Sequence, residues 1–116
     1  MSENEVIDSG KALHWLDGDV KMLEKIGAIF MKNIPAQVDM LGSFIKSGDG
    51  GSIERAAHTI MGSSAMMGAG KMSEEAGKIE RYAMAGDLDS VEKHFSIFQR
   101  EYEKVMQKLA PDRRSE

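Results

Sequence analysis

Histidines are the side chains of this sequence best suited to nucleophilic or acid–base chemistry at neutral pH, and there are three of them: His14, His58 and His94. The chain contains no cysteine, which excludes thiolate nucleophiles, disulfides and thiolate metal sites. No histidine belongs to a ligand motif such as HExxH, and no glycine-rich phosphate loop is present. We therefore predict no metal site, no cofactor and no direct use of ATP.

His58 lies on a predicted helix, opposite the apolar side. At about 100° per residue, four side chains form one apolar stripe: Ile53, Ala56, Ile60 and Met67. The neighbours that share the face of His58 lie within two turns of it: Glu54, Arg55, Met61, Gly62 and Ala65. Glycine inside a helix costs about 1 kcal/mol relative to alanine. Access is a benefit that could offset this cost at Gly62, because another protein's active site could then approach an exposed His58 closely.

A carboxylate is predicted at the level of His58 on the following helix. Glycines on both sides of Ala69 mark a turn, and His58 and Glu80 each lie eleven positions from Ala69, so an antiparallel hairpin would bring them together. A hydrogen bond from the ring Nδ1–H to Glu80 would fix the tautomer and leave the Nε2 lone pair outward, as a nucleophilic imidazole requires. The same folding places Gly77 opposite Met61. On this geometry alone, a solvated histidine beside an ordinary charged residue is the simpler interpretation.

The apolar residues follow spacings of three and four that are typical of helices, without the alternation of strands. Five segments carry these stripes: residues 12–16, 20–45, 53–67, 72–83 and 88–109. The second stripe stays in phase across Pro35, which indicates either one long helix kinked at the proline or two helices with a tight break. Asp19 is a predicted N-cap for that segment, and Asp49 or Ser52 for the next one. Because short turns join the segments, we predict an all-α fold, an antiparallel up-down four-helix bundle with a short extra N-terminal helix.

Length and composition limit the classes of protein to which this chain can belong. Its 116 residues, of which 41% are hydrophobic and 29% charged, fit one soluble domain spanning 1–116. Its ordered core is expected at about residues 8–109, with the polar residues 1–8 frayed. A net charge of −4 disfavours nucleic-acid binding, and no apolar run approaches the roughly 20 residues of a membrane span. We expect a cytoplasmic monomer without a signal peptide.

The sequence around His58 resembles the signature of the histidine-containing phosphotransfer (HPt) domain family. In that family, Ala-His is followed by an apolar residue. A lysine usually comes after it, and then Gly-Ser-Ser or a similar triplet. Residues 57–64 of this chain have the sequence AHTIMGSS. Further matches extend the resemblance to roughly residues 8–109: Asp49, Gly68-Ala69, Ile79-Glu80 and Gly86-Asp87. The resemblance implies that His58 accepts the phosphoryl group, that Gly62 gives access to it and that Glu80 orients its ring.

One position departs from the family pattern. Where the family commonly has a lysine that helps to hold the phosphoryl group, this chain has Met61. Arg55, one turn before His58, or Arg81 on the facing helix could replace that charge. Methionine is common on adaptable binding surfaces, so Met61 is the best candidate for contact with a partner. The other predicted partner contacts are Glu54, Ser63 and Ala65.

The resemblance implies a phosphoryl carrier without kinase activity of its own. It would relay a phosphoryl group between receiver domains of response regulators and hybrid histidine kinases in a two-component phosphorelay, through phosphohistidine at His58. The main alternative is a non-catalytic helical bundle that binds a receiver or another signalling partner without phosphotransfer. A ligand-binding four-helix bundle would need a polar core site, and the apolar stripes contain none. His14 and His94 are expected to be structural or merely solvated.

Overall fold

The chain forms five α-helices in a computed structural model, in which residues 6–109 are described. The helices are α1 (Ser9–Trp15), α2 (Val20–Ser47), α3 (Gly50–Met66), α4 (Gly70–Met84) and α5 (Leu88–Leu109). No strand occurs between residues 6 and 109, and the predicted all-α class is confirmed. Pro111, which the sequence predicts to follow the last helix, lies outside the described residues.

Aspartate side chains cap four of these helices, and the first is Asp8, whose Oδ1 accepts the Lys11 amide at 3.0 Å at the start of α1. Asp19 Oδ1 accepts a 2.9 Å hydrogen bond from the amide three residues later at the start of α2, which confirms the predicted N-cap. Asp49, rather than Ser52, caps α3, by accepting the Ser52 amide at 3.2 Å. Asp87 accepts the corresponding hydrogen bond at the start of α5. Each carboxylate satisfies an amide that has no partner within the helix and places negative charge at the positive end of the helix dipole.

The second helix continues across Pro35, so the tight break that the proline also allowed does not occur. Its buried residues keep one stripe on both sides of the proline: Gly27, Phe30, Ile34, Val38 and Leu41. A proline removes one amide donor from a helix but leaves the direction of the apolar face intact when the helix continues. A single face of α2 therefore covers the core along its whole length.

The chain immediately before α1 is packed, which corrects the expectation that residues 1–8 are all frayed. Ile7 is buried in the core, and the Asp8 amide donates a 2.8 Å hydrogen bond to the Gly68 carbonyl. Gly68 follows α3 with a φ of +76°, a conformation that favours glycine. A Cβ at Gly68 would collide with the backbone of Asp8. Glycine at the α3–α4 turn thus serves both the turn and the packing of the N-terminal segment.

The core is apolar and draws on all four long helices. Its largest fully buried apolar side chains are Phe98, Ile34, Leu41, Ile53, Ile60, Met72, Ile79, Val91 and Val105. In α3 the fully buried alanine is Ala57, whereas Ala56, which we predicted in the core stripe, is only partly buried. Leu88, predicted on the stripe of α5, is exposed. Ser64 and Glu75 are the buried polar residues between residues 6 and 109, although the apolar stripes predicted none.

Antiparallel packing of α3 on α4 positions the site. α3 packs along α4, α4 along α5, and α2 against both α3 and α5. The Ser73 hydroxyl donates a 2.9 Å hydrogen bond to the Met61 carbonyl near the turn, and Glu80 meets His58 further from it. Because both contacts join residues at similar distances from the Gly68–Ala69 turn, the two helices run in opposite directions. α4 lies between α3 and α5 and presents a face to each.

Candidate functional site

His58 projects from the exposed face of α3 and is held by a carboxylate of α4. Its Nδ1 lies 2.9 Å from Glu80 Oε2, and the two side chains are 65% and 18% exposed. A carboxylate accepts hydrogen bonds, so the shared proton is on Nδ1 in the neutral ring and Nε2 keeps its lone pair. The two helices therefore orient an accessible imidazole for attack through Nε2.

Small residues leave the face of α3 beside His58 open. Gly62 follows His58 by one turn, and a Cβ built on Gly62 would meet no other atom within 4 Å. Ala65, almost one turn further along, is exposed. Another protein can thus approach the imidazole along this face without meeting a long side chain of α3.

Met61 does not extend freely from this face, because it packs into the contact between α3 and α4. Its side chain is partly buried, and its Sδ lies 3.1 Å from the position that a Cβ on Gly77 would occupy. Gly77 therefore faces Met61, as the hairpin register predicts. Arg81 Nη1 lies 3.5 Å from the same position, so its guanidinium and the Met61 thioether both lie over this glycine.

Arg55 points in another direction. Its Nη2 lies 3.4 Å from Ser52 Oγ, and its Nη1 lies 3.5 Å from the Cβ position of Gly51, both at the start of α3. Hydrogen bonds from the Ser52 hydroxyl and amide lower the pKa of Asp49, and the charge of Arg55 adds to this effect. The guanidinium of Arg55 thus interacts with the N-terminal end of α3, whereas His58 lies one turn further along.

Of the three other predicted contact residues, Glu54 and Ala65 share the face of His58, whereas Ser63 is turned toward α2. Ala65 is exposed, Glu54 is half-buried, and the half-buried Ser63 donates its hydroxyl to the Thr59 carbonyl at 3.1 Å. Because that hydroxyl is already used within α3, Ser63 can offer a partner its acceptor oxygen more readily than its proton.

An apolar groove between α2 and α3 lies next to these residues, and our sequence analysis missed it. Ser63 and Met66 line it from α3, and Ile26 and Ile29 from α2. Ile29 is 57% exposed and Met66 is 49% exposed. The signal that could have revealed the groove is Ile29 itself, an isoleucine that stands off the apolar stripe of α2 at Ile26 and Phe30.

A second histidine–carboxylate pair joins α4 to α5. His94 Nδ1 lies 2.8 Å from Glu75 Oε1, and Lys78 Nζ lies 3.1 Å from Glu75 Oε2. The ring of Tyr82 stacks on His94 with ring centroids 5.1 Å apart. Sequence analysis predicted a structural or solvated His94 but missed Glu75. Counting outward from Gly86 would not have found the pair, because Glu75 lies eleven positions before this glycine and His94 eight positions after it.

Burial and hydrogen bonding act in opposite directions on Glu75. Burial alone would raise the pKa of its carboxyl group, because it disfavours the charged form. Hydrogen bonds from His94 and Lys78, together with their charges, outweigh burial and lower the pKa below its ordinary value. In contrast to His58, the side chain of His94 is only 15% exposed. This second pair is therefore placed to hold α4 on α5 and is shielded from a large reactant.

The described part of the chain offers little support for other kinds of site. Among residues 6–109, no three side chains of His, Asp, Glu or Cys are close enough to hold a metal ion. Within the same range, none of the helices has the length and apolar character of a membrane span. His14 is exposed near the end of α1, with its ring edge-on to Trp15.

Comparison with known families agrees with this geometry. The family model of the Hpt domain matches residues 25–109, from α2 to the end of α5. No curated protein and no solved structure gives a significant match. The chain belongs to the Hpt domain family, whose members are phosphoryl carriers that act with receiver domains in phosphorelay signalling.

Proposed function

We propose that this protein relays a phosphoryl group between receiver domains of response regulators and hybrid histidine kinases, and carries it as phosphohistidine at His58. We further propose that α2–α5 form an antiparallel up-down four-helix bundle, with α1 as the short extra helix. One observation carries the proposal: an exposed imidazole whose Nδ1 is held at 2.9 Å by a half-buried carboxylate, Glu80. This pairing leaves Nε2 as the nucleophile.

The transfer step uses the Nε2 lone pair of His58. It attacks the phosphorus of a receiver's aspartyl phosphate, the P–N bond forms, and the P–O bond breaks as the carboxylate leaves with its electron pair. The proton on Nδ1 stays in place, so positive charge develops on the ring. Glu80 stabilises that charge in the way that the aspartate of a catalytic triad stabilises an imidazolium. A second receiver aspartate later attacks the same phosphorus and releases His58.

Receiver docking is proposed on the open face of α3 and the adjoining groove. Gly62 and Ala65 allow close approach to the ring, while exposed apolar side chains such as Ile29 and Met66 supply area that docking would bury. Glu54, Ser63 and the partly buried Met61 border this surface. By the family resemblance, the metal ion and most of the groups that position the phosphoryl would come from the receiver.

Labelling by phospho-receivers tests this function. Full-length protein is incubated with radiolabelled phospho-receivers from the same cell, and separately with labelled ATP. We expect rapid label from a cognate receiver, none from ATP, and a bond that is lost in acid but survives alkali. His58→Gln should abolish the label, whereas the matched control His14→Gln should retain it because His14 lies outside the site. Binding to a receiver without any label would instead favour the non-catalytic bundle.

A further inference from the structure

A phosphoryl group on His58 carries negative charge that a nearby cation would stabilise. The position three residues after His58, where the family commonly has lysine, is held by the uncharged Met61. Its thioether packs against Gly77 between the helices, so this position provides no donor to a phosphoryl oxygen. The charge must then come from another residue of this chain or from the receiver alone.

Two other cationic side chains of α3 and α4 are committed elsewhere. Arg55 turns toward Ser52 at the N-terminal end of α3. Lys78 lies 3.1 Å from one carboxylate, Glu75, and 3.8 Å from another, Glu74. Neither is placed to meet a group on Nε2 of His58 without giving up these interactions.

Arg81 has a different geometry. It follows Glu80 directly, so its backbone lies at about the level of His58 on the facing helix. Side chains of a helix lean toward its N-terminus, and the Arg81 guanidinium accordingly reaches back to Gly77, which faces Met61. The side chain therefore runs past the level of the His58–Glu80 pair and ends at the level of Met61, about one turn from His58.

The surface of α4 beneath this guanidinium is bare backbone, because residue 77 is glycine. A Cβ on Gly77 would stand 3.5 Å from Arg81 Nη1, an ordinary contact, and 3.1 Å from Met61 Sδ, so the thioether would have to shift slightly. Arg81 is exposed. Within residues 6–109, its guanidinium has no carboxylate within 4.0 Å. Its donors are thus available to an anion that arrives at His58.

We propose that Arg81 is the cation that stabilises the phosphoryl group on His58, in place of the lysine that the family usually has at the position of Met61. This inference rests on the proposed phosphotransfer function. A guanidinium presents a fork of N–H donors that matches two phosphoryl oxygens. Arg81 donates hydrogen bonds to these oxygens as the P–N bond forms, and no proton leaves it. Gly77 is the positioning residue that allows Arg81 and Met61 to share one surface.

Phosphoramidate, a small phosphodonor, tests the proposal without a receiver. Nε2 of His58 attacks its phosphorus, and the P–N bond of the donor breaks with release of ammonia. Arg81→Met keeps most of the side-chain length but removes the charge, and we expect it to slow labelling about tenfold. Arg81→Lys should retain most of the wild-type rate. Adding Met61→Lys to Arg81→Met should restore most of the loss, because it returns a cation to the family position.

Further variants separate failure of this inference from failure of the function. Lys71→Met removes an exposed cation at the N-terminal end of α4, away from His58, and should label at the wild-type rate. If Arg81→Met also labels at that rate while His58→Gln takes no label, the function stands and the role of Arg81 is refuted. Slower labelling after Arg55→Met but not after Arg81→Met would refute it as well, in favour of Arg55. If wild-type protein takes label neither from phosphoramidate nor from any receiver, both proposals fall.

Discussion

Two histidines of this protein make the same hydrogen bond and differ in what surrounds them. Nδ1 of His58 is 2.9 Å from a carboxylate, and Nδ1 of His94 is 2.8 Å from another. The side chain of His58 is 65% exposed, whereas that of His94 is 15% exposed and stacked on Tyr82. A carboxylate orients an imidazole in both places, but only the exposed ring can meet a phosphoryl donor on another protein. Access, rather than the hydrogen bond, separates the proposed carrier from the structural pair.

Removal of the carboxylate beside His58 gives a direct test of its role in orienting the ring. Glu80→Ala should slow phosphotransfer by about tenfold or more, since the ring loses the partner that fixes its tautomer and stabilises its developing charge. Helix content should not change. Nuclear magnetic resonance of the labelled ring nitrogens should show less of the Nδ1–H tautomer of His58 than in wild type. Glu74→Ala, an exposed carboxylate of the same helix, is the control. An unchanged tautomer ratio in Glu80→Ala would show that the hydrogen bond does not form in solution.

The third helix has a capped N-terminus and a buried apolar face, but its exposed face contains a residue of low helix propensity. Asp49 caps its first turn, and Ile53, Ala57 and Ile60 are fully buried. Gly62, by contrast, lowers the helix propensity of the exposed face while leaving open space next to His58. Burial of the opposite face is what allows α3 to tolerate a glycine at the position where a partner approaches.

Filling that space should separate stability from activity. We expect Gly62→Gln to raise the melting temperature slightly, because glutamine is a better helix former than glycine by up to about 1 kcal/mol. The same change should block transfer from a phospho-receiver, since a long side chain would stand beside His58. Gly70→Gln provides the control. A Cβ at Gly70 also meets open space, but Gly70 lies at the α3–α4 turn, away from His58. Normal transfer by Gly62→Gln would mean that the glycine does not serve access.

Across the whole molecule, α4 is the helix that organises the bundle around the site. Glu80 faces α3 and pairs with His58, whereas Glu75 faces α5 and pairs with His94. Every buried side-chain nitrogen or oxygen between residues 6 and 109 has a hydrogen-bond partner. A polar core site for a ligand would need free groups, so the buried Glu75 does not favour the ligand-binding alternative. The Glu75–His94 pair instead joins α4 to α5 on a different face from the one that presents Glu80 to His58.

Loss of that contact should destabilise the fold in a pH-dependent way. Glu75→Ala leaves His94 and Lys78 without their partner, and we expect a loss of about 1–3 kcal/mol in the free energy of unfolding at pH 7. The pKa of Glu75 is lowered in the folded state, so its stabilisation is complete above its ordinary pKa of 4.5 and is lost as the pH falls below that value. Urea unfolding should therefore show the difference between wild type and Glu75→Ala shrinking between pH 5 and pH 3.

A matched carboxylate controls for general charge effects in that experiment. Glu74 is exposed and lies 3.8 Å from Lys78, so Glu74→Ala should change the free energy of unfolding by less than about 0.5 kcal/mol. A difference between wild type and Glu75→Ala that stays constant down to pH 3 would contradict the proposed ionised pair. In that case the loss of free energy of unfolding in Glu75→Ala would come from packing alone.

Local chemistry in the sequence was sufficient to predict the helices and the level of the site. Caps such as Asp19 act on amides three residues away, and apolar stripes depend only on the helical period, so both can be recognised without a tertiary structure. Counting from the turn at Ala69 placed Glu80 at the level of His58, because an antiparallel hairpin pairs residues equally far from its turn. Equal distance from a turn fixes the level of a residue on its helix but not the direction in which a long side chain points.

Only the tertiary structure distinguished residues that the sequence treats alike. Arg55 and Arg81 were equal candidates, and their directions depend on what lies beside them: Ser52 at a helix end in one case, and bare backbone at Gly77 in the other. The burial of Ile7, the exposure of Ile29 and the pairing of Glu75 with His94 likewise depend on contacts between distant segments. The helical period records which face of a helix is apolar, whereas the rotamer of each side chain is chosen by neighbours that come together only when the chain folds.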